Sequence, residues 1–412
     1  MTRSSYATLA IIAGMLGCEP ELSDVPFACG AEGLCPDGYT CQATVCVREG
    51  ASLEAARPMR ITWVNAGEMY WFPSPAGGAT LVVNDGFSQG GRGLYEVSVS
   101  PDGKVGDVRE VMDFGEEFPT ASSVVALDDD HYGVLTLSFP SVSSTEQRLS
   151  FWSAPREGRG GAPEIIAEPA SQIPFQGGSE PVYIAALARK GAVDVSYADP
   201  SEGGRVVIAR IQNGTFTERA RLPLMQTLPL SADSLLWDLG DDGIAVRVGP
   251  DAAELWRIPD GPTPVPEGPL LLADLPVYAF SDRVVVMKLA DGDGGIESTL
   301  EAIDWSGAPL ADDTVSGVLQ DALEPFSAVS VGSDSALLAP WSPTDRGFAS
   351  LEVNRLDNAG GITRIASYQR KGDDELYSAR AFSREGKVYL AWTSFHESLM
   401  DLWITSVDEV SP

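Results

Sequence analysis

The sequence predicts an all-β protein: a β-propeller of seven four-stranded blades, closed by an N-terminal strand and preceded by a small disulfide-rich module. Three observations carry that prediction. A unit of short strands separated by turn formers recurs along the chain, at the spacing of roughly 40–50 residues that propeller blades have. Turn residues are abundant, with 42 Gly and 29 Pro in 412 residues. Finally, a strand stands unpartnered at the start of the repeats, and the last repeat lacks its fourth strand.

The last unit is the clearest. Leu376–Phe382, Lys387–Thr393 and Asp401–Val407 are rich in β-branched and aromatic residues, and the polar turn Ser383-Arg384-Glu385-Gly386 separates the first two. Six other segments repeat its opening pair. They are Gly67–Pro73 with Ala79–Asp85, Ser122–Leu127 with Tyr132–Phe139, and Val182–Arg189 with Ala192–Tyr197; then Ser234–Leu239 with Gly243–Val248, Val277–Phe280 with Arg283–Leu289, and Ala328–Val331 with Ser335–Ala339. Third strands follow at Leu94–Val99, Arg148–Ala154, Arg205–Ile211, Ala253–Ile258, Thr299–Asp304 and Ala349–Leu356, several of them with a turn and a short fourth strand behind. After the last third strand only Val410-Ser411-Pro412 remains, whereas Pro58–Val64 precedes the first unit alone. Pairing 59–64 with 401–407 closes the ring and removes two exposed edges. The propeller is expected over residues 58–412, with a six-bladed ring as the alternative if one segment is not a blade.

Before the ring lies a targeting segment, residues 1–17. Arg3 supplies a positive charge, and the apolar run from Tyr6 to Leu16 is too short to span a bilayer as a helix. It ends at Met15-Leu16-Gly17-Cys18. Small and apolar residues just before a cysteine resemble the bacterial lipobox, and the resemblance implies cleavage before Cys18 and acylation of its thiol and amino group. An ordinary signal peptide is the alternative. No later stretch is long and apolar enough for a transmembrane helix, so the lipid is the expected anchor. Residues 18–28 then act as a tether. Glu19 does not set leaflet or membrane, though it is not the Asp that retains lipoproteins at the inner membrane of enteric bacteria; the expected location is the outer membrane, facing the periplasm or the surface.

All five cysteines precede residue 47. With Cys18 assigned to the lipid, Cys29, Cys35, Cys41 and Cys46 form an even set in an exported chain, which reads as two disulfides. Three pairings are open, and the spacing favours the interleaved one, Cys29–Cys41 with Cys35–Cys46. So short a segment, residues 29–47, cannot bury a core and needs its bridges. Zinc is the rival reading; its sites typically use pairs of C-x2-4-C spacing, and here only Cys41–Cys46 falls in that range. The run Cys35-Pro36-Asp37-Gly38-Tyr39-Thr40-Cys41 resembles a short module found in lipoproteins of myxobacteria and their relatives; the resemblance implies envelope location and no activity. A polar linker, 48–57, joins module to ring.

Charge narrows the partners. A formal net charge of −31 repels phosphate backbones and anionic membrane surfaces, so nucleic acid is not an expected partner. Catalytic motifs are thin. Gly86-Phe87-Ser88-Gln89-Gly90 matches the nucleophile-elbow pattern but runs into Gly91-Arg92-Gly93 and another strand where a helix is required. The chain has two histidines, His131 and His396, in separate turns, too few for a His-based metal site or a paired base. The clusters Asp238–Gly243 and Asp291–Gly295 read as turns; calcium is the rival, although neither meets the full loop pattern. No catalytic residue, metal ligand or cofactor is assigned.

Propeller loops from second to third strand share one face with the loops linking successive blades. That face gathers Asp85, Pro140, Asp199, Asp291, Trp341 and Phe395, and is the expected binding site. The expected function is that of a lipid-anchored, monomeric cell-envelope binding or scaffold protein that recognises a protein or glycan. A glycan hydrolase or lyase with channel carboxylates is the alternative.

Overall fold

The computed structural model describes residues 27–409, except 29–34, 36–37, 43–44, 49–58, 62–65, 86–92, 116, 141–145, 158–160, 170–172, 175–183, 200–204, 224–234, 249–253, 262, 273, 293–294, 311–325, 331–334, 341–349, 358–360, 370–374 and 397–398. The fold is an all-β ring of seven antiparallel blades. Blade 1 is Ala66–Pro73, Ala79–Asp85, Gly93–Val99 and Val105–Asp113, paired in that order from the inside outward. Blades 2 to 6 follow in sequence, with inner strands Phe118–Ala126, Ile184–Arg189, Leu235–Asp238, Leu275–Ala279 and Phe326–Ser330. Blade 5 has three strands among the described residues, and an isolated bridge from Ile303 to Pro309 continues it outward.

Blade 7 joins the two ends of the propeller. Glu375–Arg384, Lys387–His396 and Leu399–Asp408 come from the C-terminal part, and Met59–Ile61 supplies the fourth strand. Its register sets Ile61 opposite Leu402, Arg60 opposite Trp403 and Met59 opposite Ile404. The ring therefore closes where the unpartnered strands predicted it would; of the expected strand 59–64, residues 62–64 lie outside the described residues.

Apolar clusters show why the strands read as nearly continuous hydrophobic runs. Each inner-blade strand is covered on both faces, so successive side chains, which alternate sides, enter the cores on either side of the blade. In blade 1, Met69, Trp71, Leu81 and Val83 pack against Tyr389, Ala391, Leu402 and Ile404 of blade 7. The alternate residues Phe72 and Val82 pack against Val124, Tyr132 and Val134 of blade 2. Further clusters join blades 2 and 3, 3 and 4, 4 to 6, and 6 and 7. Trp237, Trp256, Trp392 and Trp403 are buried in the blade packing, and Trp305 is partly buried against the cluster that joins blades 4 to 6. Trp63 lies outside the described residues.

The N-terminal module extends blade 7. Tyr39–Gln42 pairs with Val45–Arg48, which pairs with Phe27–Ala28, which lies parallel to Met59–Ile61; the result is one seven-stranded sheet. The expected Cys35–Cys46 bridge is present. Cys41 lies on the strand Tyr39–Gln42, while Cys18 and Cys29 lie outside the described residues. Among the described residues, no helix is long and apolar enough to cross a membrane.

Candidate functional site: the propeller mouth and its channel wall

The topology places the expected face at one end of the blades. Asp85 ends the second strand of blade 1, opposite Gly93. Asp199 ends the second strand of blade 3, opposite Arg205. Asp291 lies one residue from the end of Val284–Gly292, opposite Ile296. Phe395 lies one residue from the end of Lys387–His396, opposite Met400, so it and His396 belong to a strand where a loop was expected. Pro140 follows the second strand of blade 2 and is exposed. Trp341 and the serine of the elbow-like motif, Ser88, lie outside the described residues.

Around this mouth, acidic groups are matched by arginines. The Asp199 carboxylate lies 3.1 Å from Arg221, and both oxygens of Glu218 accept from the same guanidinium at 2.7 Å. On blade 2, Arg148 donates to Glu168 at 2.6 Å and stands 3.7 Å from Glu117. Ser138 donates to Glu117 at 2.7 Å and Ser150 to Glu168 at 2.9 Å. The hydrogen bond from Arg148 holds the Glu168 carboxyl below its ordinary range, and the same bond raises Arg148. A charge held in this way is fixed in direction and gives a rim its specificity more than its affinity.

Just inside the mouth, the inner strands of blades 1 and 2 build a polar cluster that the sequence did not single out. Tyr70 donates its phenol proton within reach of two acceptors, Glu68 Oε2 at 2.8 Å and the Ser122 carbonyl at 3.0 Å. Ser122 Oγ donates to the same Glu68 oxygen at 3.0 Å, and Asn84 Nδ2 donates to Ser122 Oγ at 2.8 Å. Burial, then the Glu68 charge, pushes the Tyr70 phenol well above its usual range, so it stays protonated. Asn84 is buried, and its Oδ1 has no hydrogen-bond partner among the described residues. Glu68 and Tyr70 are two apart on one strand, the spacing of ordinary core positions, while Asn84 and Ser122 come from two other strands, so no local pattern marks the group.

The opposite face holds a different arrangement. A cleft of about 340 Å³ lies between blades 2 and 3, floored by Phe151, Ile166 and Ile211 and rimmed by the hairpin turns at Lys190 and Asn213. Beside it runs an ionic network linking blade 3 to blade 4. Buried Arg189 donates to Asp238 at 2.9 Å and to Asp260 at 2.7 Å. Fully buried Asp194 accepts two bonds of 2.8 Å from Arg210 and one of 3.1 Å from Arg219. Lys190 joins through Asp241 and Asp260, both at 3.0 Å. Four cations thus meet four carboxylates, and the buried charges are mutually paired, as burial requires. Asp238, expected as part of a turn, also caps the Gly240 amide at 3.0 Å. His131 starts a strand at a turn in which Asp128 accepts from the amides of Asp130 and His131, both at 2.7 Å.

Geometry therefore defines a closed seven-bladed propeller with an ion-paired mouth. No protein-family model matches the sequence, and no curated protein does. Solved structures resemble the chain at low similarity. The polysaccharide lyase Uly1 is 9% identical, with a TM-score of 0.48 over 83% of this chain and 90% of the lyase. A puromycin hydrolase S511A mutant is 17% identical, with a TM-score of 0.46 over 80% of this chain. The chain spans about half, 50%, of that hydrolase's length. Trypanosoma rangeli sialidase in complex with the inhibitor DANA is 13% identical, with a TM-score of 0.46 over 85% of this chain and 59% of the sialidase.

Proposed function

We propose that the protein is a lipid-anchored binding or scaffold protein of a bacterial cell envelope, using the mouth of its propeller to recognise a protein or a glycan. The observation that carries this reading is the mode of closure. The ring takes its N-terminal strand at the outer edge of blade 7, so a chain tethered at Cys18 approaches the rim and leaves both faces unobstructed. A rigid ring of loops held by paired charges suits recognition of a fixed partner. The lipobox-like Met15-Leu16-Gly17-Cys18 supports the anchor, and the cysteine module supports an oxidising compartment and an envelope lipoprotein of the myxobacterial type. The reading takes the ring as a monomer in the outer membrane, with no resident cofactor; calcium bridging between acidic groups is the one ion it would accommodate.

Protease shaving of intact cells carrying a C-terminally tagged copy tests orientation and anchor together. Loss of the tag from intact cells gives a surface-facing ring, and protection until the outer membrane is opened gives a periplasmic one. A Cys18→Ala copy that stays membrane-bound overturns the anchor.

One second reading is a glycan hydrolase or lyase with channel carboxylates, and Glu68, which accepts from Tyr70 and Ser122 between blades 1 and 2, is the carboxylate that it would use. Under it, Glu68→Gln abolishes turnover of a glycan while leaving its binding within about twofold, because a neutral isostere keeps the shape and loses the base. Equal activity in Glu68→Gln removes this reading.

A further inference from the structure

The N-terminal module shares its hydrogen-bonded sheet with the seam of the ring. A single register row crosses seven strands: Cys41 stands opposite Cys46, Cys46 opposite Phe27, Phe27 opposite Arg60, Arg60 opposite Trp403, Trp403 opposite Trp392, and Trp392 opposite Ala379. The outer end of the row carries the Cys35–Cys46 disulfide, and Cys46 is fully buried. The inner end is the strand facing the channel. At the seam itself the indoles of Trp392 and Trp403 stack with centroids 6.2 Å apart and planes 2° from parallel.

The closing strand is the weak link in this row. Its described part, Met59–Ile61, is held to the ring by one ladder, on Leu402–Ile404, and a pairing of two strands alone is marginal in water. Its second edge is covered by Phe27–Ala28, which is held in turn by Val45–Arg48, the strand that carries Cys46. Opening the seam with the module in place means losing two ladders at once. Opening it after the module has loosened means losing one. A disulfide confines the loosened module and so favours the state in which both ladders are made.

We propose that the Cys35–Cys46 bridge is a redox clasp on the ring. Oxidised, it keeps Met59–Ile61 on the edge of blade 7. An external dithiol that attacks the bridge becomes a disulfide itself, and its two electrons and two protons leave Cys35 and Cys46 as thiols. The module and the closing strand then leave the seam together, exposing the backbone edge of Leu399–Asp408 while the remaining blades keep their structure. This inference does not depend on what the mouth binds.

Hydrogen exchange on the full chain tests it, comparing the oxidised protein with protein reduced by a dithiol and capped with iodoacetamide. Amides of 399–408 are expected to exchange at least about tenfold faster after reduction, with those of 244–248 in blade 4 unchanged. An Ala28→Pro variant keeps the bridge but interrupts a strand paired on both edges, where proline is not tolerated, and is expected to give the same local signature. A seam that keeps its protection in either preparation overturns the proposal. So does a loss of equal size at 244–248, which would make the bridge a general support of the fold.

Discussion

At the scale of single residues, the chain spends its arginines on burial. Arg156 is 2% exposed; it donates to the Asp128 and Pro73 carbonyls at 2.8 and 2.6 Å, and its guanidinium lies 4.8 Å from the Tyr132 ring centre. It therefore ties blade 2 to blade 1 through backbone acceptors and a π face, contacts worth more when water is excluded. Arg189 does the equivalent for blades 3 and 4 through carboxylates, and that choice makes stability depend on pH. Burial works against the charge of Asp260, but the hydrogen bonds from Arg189 and Lys190 overcome it and hold the carboxyl well below the usual range. A folded-state value below the unfolded one means that the unfolded chain binds the proton more readily. The contribution is complete above the unfolded value of about 4 and is lost as pH falls toward the folded value. Wild type is therefore expected to exceed Asp260→Asn in urea midpoint most at pH 6, with the gap closing toward pH 2. A gap that stays constant across that range would assign the role of Asp260 to shape and not to charge. None of these partners was legible in the sequence, because the pairs join positions about 50 to 70 apart, Arg189 with Asp238 and with Asp260, and only the ring's curvature brings them together.

At the scale of elements, legibility followed the strength of the local signal. Hairpins were read from their turns. Lys190-Gly191, Asn213-Gly214 and Glu385-Gly386 all take positive φ at both positions, the mirror-image turn that matches strand twist. The turn near Arg384 is shorter than the sequence implied, since Arg384 pairs directly with Lys387 and the strand runs through Ser383. Second strands were read well because both their faces are buried. Fourth strands were read less well: Glu267–Leu271 is half-exposed and contains Gly268-Pro269, a sequence that punctuates strands elsewhere. Gly243 shows how narrow a turn's tolerance is. It has φ +112, and a Cβ there would come 2.1 Å from the Ile258 carbonyl oxygen. Gly243→Ala is expected to lower stability by about 3 kcal/mol, combining a glycine-only conformation with a backbone clash. Urea denaturation measures it, and a loss under about 1 kcal/mol would mean that the turn relaxes freely.

At the scale of the whole molecule, the ring followed from counting: six units of at least three strands, several with a fourth, a seventh that ends after its third, and one unpartnered strand at the start. Pairing Met59–Ile61 with Leu402–Ile404 resolved both irregularities at once. Strand ends fix which residues share one end of the ring, and Asp85, Asp199, Asp291 and Phe395 lie at corresponding ends of their blades, while Trp341 lies outside the described residues. The docking of the module on blade 7 was not legible, since Phe27–Ala28 and Val45–Arg48 are too short to show a period. Function rests on what precedes the ring, and the mass of the mature N-terminus tests it most directly. Protein isolated from its native membranes should begin at Cys18, with its terminal peptide carrying the mass of a diacylglyceryl group and an amide-linked acyl chain. A mature chain that begins anywhere else, or that carries an unmodified Cys18, contradicts the anchor and with it the envelope-tethered recognition built on it.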